Sequence, residues 1–197
     1  MAVFLKIKKK IYIDARSLTQ NPVGVARYVT EITALLARSD WDVTLVSNKS
    51  LVLPDKLKDL KVSFKLLPFS RFLPGTISIM FFSLFLFDTE SCFFWGANHV
   101  VPVLKPKRVR SVLTLHDIVA VRYGETMTLR NRIMNICSLR LSIFFCDRLT
   151  TVSEFTKSEV ISVLWKGKQE KKITVIRNSV DRDVFRYVNE PPTICGK

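Results

Sequence analysis

Residues 10–46 of the chain read KIYIDARSLTQNPVGVARYVTEITALLARSDWDVTLV. The first five residues, 10–14, combine β-branched and aromatic side chains and end in a polar residue, which is typical of a short strand. Residues 17–23 contain an Asn-Pro pair and predict a loop. Apolar residues then recur at helical spacing over 24–38, and 42–46 predict a second strand. A strand, a helix and a strand in this order predict a β-α-β unit with parallel strands.

The same alternation of strands and helices continues along the chain. It predicts a single α/β domain, a Rossmann-like fold with a parallel sheet and helices on both faces. We assign this domain to residues 1–181 and a linker to 182–197, where periodicity is lost. Further strands are predicted at 61–67, 91–95, 111–115, 148–152 and 172–176, and further helices at 74–86, 128–145 and 153–164.

The predicted helix over 128–145 carries several large apolar side chains at helical spacing. These side chains lie on or near one face of the predicted helix. They are Leu129, Ile133, Ile136, Cys137, Leu141, Phe144 and Phe145.

The composition is that of a folded and strongly basic protein. The chain has 197 residues, of which 48% are hydrophobic, and this excludes a disordered chain. Its 31 Lys and Arg against 17 Asp and Glu give a net charge of +14. Such a field attracts nucleic acid, phosphates and anionic lipid headgroups alike. No helix-turn-helix, zinc or RNA-binding signature is present, so we do not expect a nucleic-acid partner.

Cysteine spacing argues against a metal site. Four cysteines and two histidines form no C-x-x-C pair and no ligand pattern typical of zinc. The flanks of the cysteines are mostly apolar, which indicates buried, reduced thiols in a cytosolic protein.

The most hydrophobic segment is ISIMFFSLFLF, residues 77–87. It is too short to span a bilayer as a helix. It is apolar on nearly all faces, which favours a buried core helix; contact with a membrane interface is the alternative. The N-terminus has its lysines after a short apolar stretch, the reverse of a secretion signal.

Polar residues follow four of the predicted strands. In an open parallel sheet, ligands bind beyond the carboxyl ends of the strands, so these residues predict a binding cleft. A G-x-G-x-x-G fingerprint is missing, as are a G-x-S-x-G elbow and D-x-D-like carboxylate pairs. The residues concerned are Asp14 and Arg16, His116 and Asp117, Ser153 and Glu154, and Arg177 and Asn178.

Six segments in this order have a familiar pattern: IDARSL, VGVARYVTEITALL, FFWGANHVVP, VLTLHDI, TTVSEFTKSEVI and KKITVIRNSVDRDVF. The series resembles the N-terminal domain of retaining glycosyltransferases of family four, which have the two-Rossmann-domain GT-B architecture. It is most similar to bacterial mannosyltransferase-like members that build surface polysaccharides. The resemblance covers residues 11–185.

The resemblance implies the roles of five residues. Gly24 matches the family's glycine in the loop after the first strand, which approaches the donor diphosphate and the acceptor. Arg27 and Tyr28 match its Arg-Tyr pair at the start of the first helix. His116 and Asp117 match its His-Asp pair, whose histidine faces the donor sugar, and they are the expected catalytic residues.

Four more residues complete the substrate-binding set that the resemblance implies. Ser153 and Glu154 match a segment that lines the same cleft. Asn178 matches the asparagine of an Asn-Gly-Val-Asp turn, and Asn98 lies in FFWGANHVVP.

Two positions depart from the family pattern. Ala26 stands where the family has a second glycine, which narrows the space near the start of the helix. Ser179 replaces the glycine of the Asn-Gly-Val-Asp turn, and serine tolerates a positive φ less well than glycine.

The resemblance implies a metal-independent glycosyltransferase without a cofactor. A hexosyl group passes from a nucleotide-diphosphate sugar to a saccharide or lipid-linked acceptor, with retention at the anomeric carbon, in surface polysaccharide synthesis. The family's nucleotide-binding second domain should start about where the chain ends, at Lys197. We therefore expect an acceptor-side half that is inactive alone. The alternative is a non-catalytic half that docks to a separate nucleotide-binding subunit.

A lipid-linked acceptor would place the protein in the cytoplasm, peripherally at the inner membrane face. Basic side chains would then meet anionic headgroups, each contributing about 1 kcal/mol near the surface. The alternative is a solvated basic face. The side chains are those of residues 105–110 and of Arg122, Arg130, Arg132 and Arg140.

Overall fold

Seven β-strands form one sheet in the computed structural model, which describes residues 9–19, 24–68, 72–86, 90–122, 125, 127–165 and 173–179. All neighbouring strands in this sheet are parallel, in the order β3-β2-β1-β4-β5-β6-β7. The predicted α/β fold is therefore confirmed. The strands are β1 (Lys9–Asp14), β2 (Trp41–Ser47), β3 (Val62–Leu66), β4 (Cys92–Gly96), β5 (Val109–Leu115), β6 (Arg148–Thr151) and β7 (Ile173–Val175).

Helices connect the strands. The predicted linker over 182–197 and Cys195 lie outside the described residues, as does part of the loop predicted over 17–23, whose first residues form a 3₁₀ turn, Arg16–Thr19. The helices are α1 (Val25–Ala37), α2 (Asp55–Lys58), α3 (Gly75–Ile77), α4 (Val119–Arg122), α5 (Leu129–Phe145) and α6 (Glu154–Glu159).

The sheet separates two hydrophobic cores because successive strand residues point to opposite faces. Tyr12 of β1 belongs to one core, whereas its neighbours Ile11 and Ile13 belong to the other. The first core lies beneath α5 and the segment after α3, and the second lies beneath α1. Because helices cover both faces of the sheet, the loops meet at the carboxyl ends of the strands.

The segment 77–87, predicted as a buried helix, is buried on one side. Ile79 and Met80 are buried in the first core, while Phe81 and Phe85 are exposed. After α3 the backbone continues as a π-helical turn, Ser78–Phe82, and a 3₁₀ turn, Ser83–Leu86. No helix in the described part of the chain is long and apolar enough to cross a membrane.

The face of α5 that carries the large apolar side chains predicted to share one face is not its buried face. The helix instead buries Ser138, Leu139, Ser142 and Ile143. Ile136 is half-buried. The cause is that α5 is apolar on both sides, so helical spacing alone could not identify the face toward the sheet. The exposed members of the predicted face are Leu129, Ile133, Cys137, Leu141, Phe144 and Phe145.

The prediction of buried thiols is confirmed for two cysteines. Cys92 and Cys146 are buried, but Cys137 is exposed on α5. The described residues contain no His, Cys, Asp and Glu group that could hold a metal ion.

A buried ion pair fixes the end of β1. Asp14 is fully buried, and its carboxylate accepts hydrogen bonds from Arg16 Nε at 2.8 Å and from the other end of the guanidinium at 2.7 Å. Arg16 also donates to Thr76 Oγ1 at 3.1 Å, so the pair ties β1 to α3. These contacts hold the first loop of the carboxyl edge in place.

A second ionic cluster joins the C-terminal end of α5 to β5. Asp147 accepts hydrogen bonds from Lys105 at 2.7 Å, from the Ser111 backbone N–H at 2.8 Å and from Arg110 at 3.1 Å. Burial alone would raise the pKa of Asp147, but these hydrogen bonds and charges outweigh it and lower the pKa to about 2.

Asp147→Asn is expected to lower the free energy of unfolding near pH 7 by about 1–2 kcal/mol, after allowance for solvent screening. The unfolded carboxyl has a pKa of about 3.9. The stabilisation by the Asp147 carboxylate is therefore complete above about pH 4. It is lost as the pH falls toward the pKa of about 2 that this group has in the folded protein. Urea unfolding of both proteins at several pH values checks this. A difference that stays constant between neutral pH and pH ~3 would contradict it.

Candidate active site

The strand order changes direction between β1 and β4. β1 pairs with β2 on one side and with β4 on the other, so the chain leaves β1 toward one half of the sheet and β4 toward the other. At such a point the loops diverge and leave room for a ligand. Hydrogen bonds from Asn98 to Asp14 and from His116 to His99 join the ends of β1, β4 and β5 at the carboxyl edge of the sheet.

The loop after β4 is tightly folded. A Cβ added at Gly96 would lie 2.1 Å from the Val100 carbonyl oxygen, so only glycine fits there. Asn98 Nδ2 donates to the Asp14 carbonyl oxygen at 2.9 Å, which connects this loop to the end of β1. His99 has a φ of 63°, the one positive φ of a non-glycine residue in the described ranges.

His99 holds the backbone of His116. The His99 Nε2 accepts a hydrogen bond from the His116 backbone N–H at 3.1 Å, and the two rings lie 5.6 Å apart. Burial and the neighbouring His116 lower the pKa of His99 to about 4, so it is neutral near pH 7. Thr156 Oγ1 donates to the His116 carbonyl oxygen at 3.2 Å, so the backbone of His116 is held on both sides.

The His116 side chain is half-buried and oriented. Its Nε2 lies 3.2 Å from the Ala97 carbonyl oxygen, and the edge of the Tyr28 ring packs against it with 5.0 Å between centroids. Burial lowers the pKa of His116, although the bond to Ala97 opposes this. Because a carbonyl only accepts, neutral His116 carries its proton on Nε2 and presents Nδ1 as an acceptor.

His116 and Asp117 line a cavity of about 390 Å³, which we name the His116 cavity. Arg122 and Glu159 form an ion pair in its wall. Asp117 Oδ1 accepts from the Val119 N–H at 3.1 Å, which caps the start of α4. The remaining lining residues are Ile118, Val119, Phe155 and Thr156.

A second cavity, of about 400 Å³, brings four predicted residues together: Gly24, Arg27, Tyr28 and Asn178. We name it the Gly24 cavity. Gly24 caps α1 with a φ of 55°, and a Cβ added there would meet no atom within 4 Å. The backbone at the start of α1 is thus accessible to a ligand. The other lining residues are Glu31, Ile32, Leu35, Ile176, Arg177 and Ser179.

Tyr28 stands at the Gly24 cavity and also touches His116. Burial raises the pKa of its phenol, and a hydrogen bond with Thr114 opposes that shift. The phenol is therefore protonated near pH 7 and can act as a hydrogen-bond donor.

A comparison with protein families gives the family of this chain. The family model described as Glycosyltransferase Family 4 matches residues 22–184. The chain belongs to glycosyltransferase family 4. The seven-stranded parallel sheet agrees with the Rossmann-like half of a GT-B enzyme. A comparison with curated proteins gives no match.

Two predicted residues of this family 4 domain, Ser153 and Asn98, have scaffold contacts, and a third, Glu154, lies next to Ser153. Ser153 Oγ accepts from the Thr156 N–H at 3.0 Å and thereby caps α6, whose first turn contains Glu154. Asn98 connects two loops through its bond to Asp14. None of the three lines the Gly24 cavity or the His116 cavity.

The departures from the family 4 pattern cause no backbone strain. Ala26 is buried against the second core. Ser179 lies in the Gly24 cavity without a positive φ, since that conformation is confined to Gly24 and His99 among the residues described.

Sequence reasoning missed His99 and Thr156 as site residues. His99 lies inside the quoted segment FFWGANHVVP, but its bond to His116 joins residues 17 positions apart. Thr156 reaches across 40 positions to the same backbone. A polar residue beside a motif is the only signal that the sequence offered for either.

Proposed function

We propose that this family 4 domain is the acceptor-side half of a retaining glycosyltransferase. It would move a hexosyl group from a nucleotide-diphosphate sugar to a saccharide or lipid-linked acceptor in surface polysaccharide synthesis. The observation that carries the proposal is the contact between Tyr28 and His116. This contact places the Gly24 cavity and the oriented His116 at one edge of the sheet.

The two ends of a nucleotide sugar need different surroundings. The diphosphate is an anion that leaves, and the sugar ring gains positive charge as it does so. Arg27 and Arg177 line the Gly24 cavity and supply positive charge for the diphosphate. Gly24 has no side chain to keep the phosphates from the backbone at the start of α1.

His116 is suited to contact the sugar. Its Nδ1, an acceptor in the neutral ring, can receive a hydrogen bond from a sugar hydroxyl. His99 and Thr156 fix the backbone of His116, so the imidazole is preorganised before the sugar arrives. Asp117 adds a negative charge beside the developing positive ring.

The remaining parts of the proposal follow from the family resemblance. They are retention, independence of metal ions, a second nucleotide-binding domain, a peripheral place at an anionic membrane surface, and the absence of transfer by this domain alone. A separate, docking nucleotide-binding subunit is the alternative. It is supported by an apolar groove of about 200 Å³ beside α1, lined among others by Ile32, Trp95, Val112 and Ile176.

The test uses the two histidines of the chain, whose ring signals can be followed separately by NMR. Titration of the purified chain with GDP-mannose or UDP-glucose is expected to shift the His116 signals, while GDP or UDP alone shifts them less. Arg27→Gln should weaken binding roughly tenfold, because it removes a charged hydrogen-bond donor. Arg38→Gln, at the other end of α1, is the matched control and should bind as the wild type does.

Equal binding by the Arg27 and Arg38 variants would contradict the assignment of the Gly24 cavity to the diphosphate. Unchanged His116 signals at saturating sugar nucleotide would contradict the sugar contact. Incubation with these donors and a lipid-linked saccharide, followed by mass spectrometry, is expected to give no product. Measurable transfer would contradict the proposal that the domain is inactive alone.

A further inference from the structure

The solvent side of α5 carries a row of exposed apolar side chains. Leu129 and Phe144, near its two ends, are 71% and 73% exposed, and Ile133 and Leu141 between them are 54% and 38% exposed. Residues spaced three and four apart share one face of a helix, so these side chains and Cys137 form one row. We name this row the α5 stripe. It extends for about 22 Å, given a rise of about 1.5 Å per residue.

The stripe lies opposite the buried side of the helix. Leu139 and Ile143 face the first core, and Ser138 and Ser142 are buried beside them. The α5 stripe is therefore an additional apolar surface and not the margin of the core. An exposed row of this kind marks an interaction site in a folded domain.

The charges on α5 itself are all of one sign. The helix sequence LRNRIMNICSLRLSIFF contains Arg130, Arg132 and Arg140 and no acidic residue. Within the described part of the chain, no ion pair involves these arginines. Because successive residues of a helix are rotated by about 100°, Arg130 and Arg140 lie on the solvent-facing side of α5.

An apolar row with arginines and no carboxylates suits the surface of an anionic bilayer. Leucine, isoleucine and phenylalanine enter the boundary between headgroups and acyl chains, while guanidinium groups bind lipid phosphates. Arginine can keep its charge at the headgroups while its methylene groups lie along apolar surface.

A second copy of this chain is a poorer partner. Pairing two α5 stripes would bring Arg130 and Arg140 of one copy against the same residues of the other. It would also bring together two molecules of net charge +14. Like charges across an interface are unfavourable, whereas an anionic lipid surface complements them.

We propose that α5 lies in the plane of an anionic membrane surface, with the α5 stripe inserted below the headgroups. The biological purpose of this docking rests on the proposed lipid-linked acceptor. The assignment of the docking surface rests only on the burial and charge of α5. Helix α4, which contributes Val119 and Arg122 to the His116 cavity, packs against α5. Docking through α5 thus brings that cavity close to the bilayer.

The test is cosedimentation of the full chain with vesicles, without any nucleotide sugar. We expect binding to vesicles that contain about 30% phosphatidylglycerol, and much weaker binding to phosphatidylcholine alone or at high salt. Leu129→Ser/Phe144→Ser should lower the partition coefficient roughly thirtyfold. Val52→Ser/Phe72→Ser removes two other exposed apolar side chains and is the matched control, expected to bind within about twofold of wild type.

The contribution of charge is tested by a second pair of variants. Arg130→Gln/Arg140→Gln should lower binding roughly tenfold at low salt, whereas Arg38→Gln/Lys49→Gln, with the same loss of charge, should have little effect. A fluorophore on Cys137, in a Cys195→Ser background, should report an apolar environment only with anionic vesicles.

If a pair of substitutions on α5 and its matched control pair lowered binding equally, the assignment to α5 would be overturned. Binding would then not depend on where the apolar or charged side chains lie. Binding to neither kind of vesicle would overturn the membrane proposal. So would a dimer in solution that Leu129→Ser/Phe144→Ser abolishes, because a second copy would then cover the stripe. None of these outcomes depends on sugar nucleotides, so failure here leaves the proposed function to its own NMR test.

Discussion

Arg16→Ala is expected to lower the free energy of unfolding by about 3–5 kcal/mol. The substitution leaves the carboxylate of Asp14 fully buried without its guanidinium partner, which now lies 2.7 Å away. It also removes the bond from Arg16 to Thr76 at 3.1 Å. A buried charge without a partner is far more costly than the intact pair is stabilising. Urea unfolding followed by circular dichroism measures the loss.

Two further variants separate charge from geometry. Arg16→Lys keeps a positive charge but loses the two-pronged contact, so an intermediate loss is expected. Asp14→Asn combined with Arg16→Gln removes both charges and should be more stable than Arg16→Ala. A loss below about 1 kcal/mol for Arg16→Ala would mean that water can solvate the Asp14 carboxylate in place of the guanidinium, and it would contradict the prediction.

Gly96→Ala is expected to cost about 3 kcal/mol, near the upper end of the range for overpacked sites. The new methyl group would lie 2.1 Å from the Val100 carbonyl oxygen and 2.7 Å from Val101 Cγ1. Backbone atoms have to move to relieve this contact, and the moving loop carries Asn98 and His99. The substitution should therefore also loosen the bond from the His116 N–H to His99.

Gly24→Ala is the matched control for Gly96→Ala. A Cβ at Gly24 meets no atom within 4 Å, so only its backbone conformation, with φ 55° and ψ −107°, is unfavourable, at about 1–3 kcal/mol. Urea unfolding compares the two variants, and NMR titration follows the His99 pKa, which should rise from about 4 in Gly96→Ala alone. A loss below about 1 kcal/mol in Gly96→Ala, with an unchanged His99 pKa, would show that the loop after β4 adapts easily.

The order of elements could be predicted from the sequence because each strand and helix has a local signal. β-branched residues predicted β1 to within one residue, and helical spacing predicted α1 between Gly24 and Arg38. The helix predicted over 153–164 also begins where Ser153 caps α6. Local chemistry sufficed for each of these features.

What failed depends on the surroundings of an element. The buried face of α5 could not be predicted, because Leu139 and Leu141 are equally apolar and only the sheet distinguishes them. For the site, the rule that ligands bind at strand ends led to His116, and the family resemblance led to Gly24. It did not reveal that His99 fixes His116, because that contact depends on how two separate loops meet.

The position of β1 in the sheet has a consequence for synthesis on the ribosome. β1 ends at Asp14, but one of its two hydrogen-bonded neighbours, β4, ends only at Gly96. At about 5–20 residues per second, the nascent strand waits roughly 4–16 s for that neighbour to emerge. During this time one edge of a strand rich in apolar residues is unpaired, and such edges associate with other chains. The expressed protein should therefore need chaperones during translation more than it does once folded.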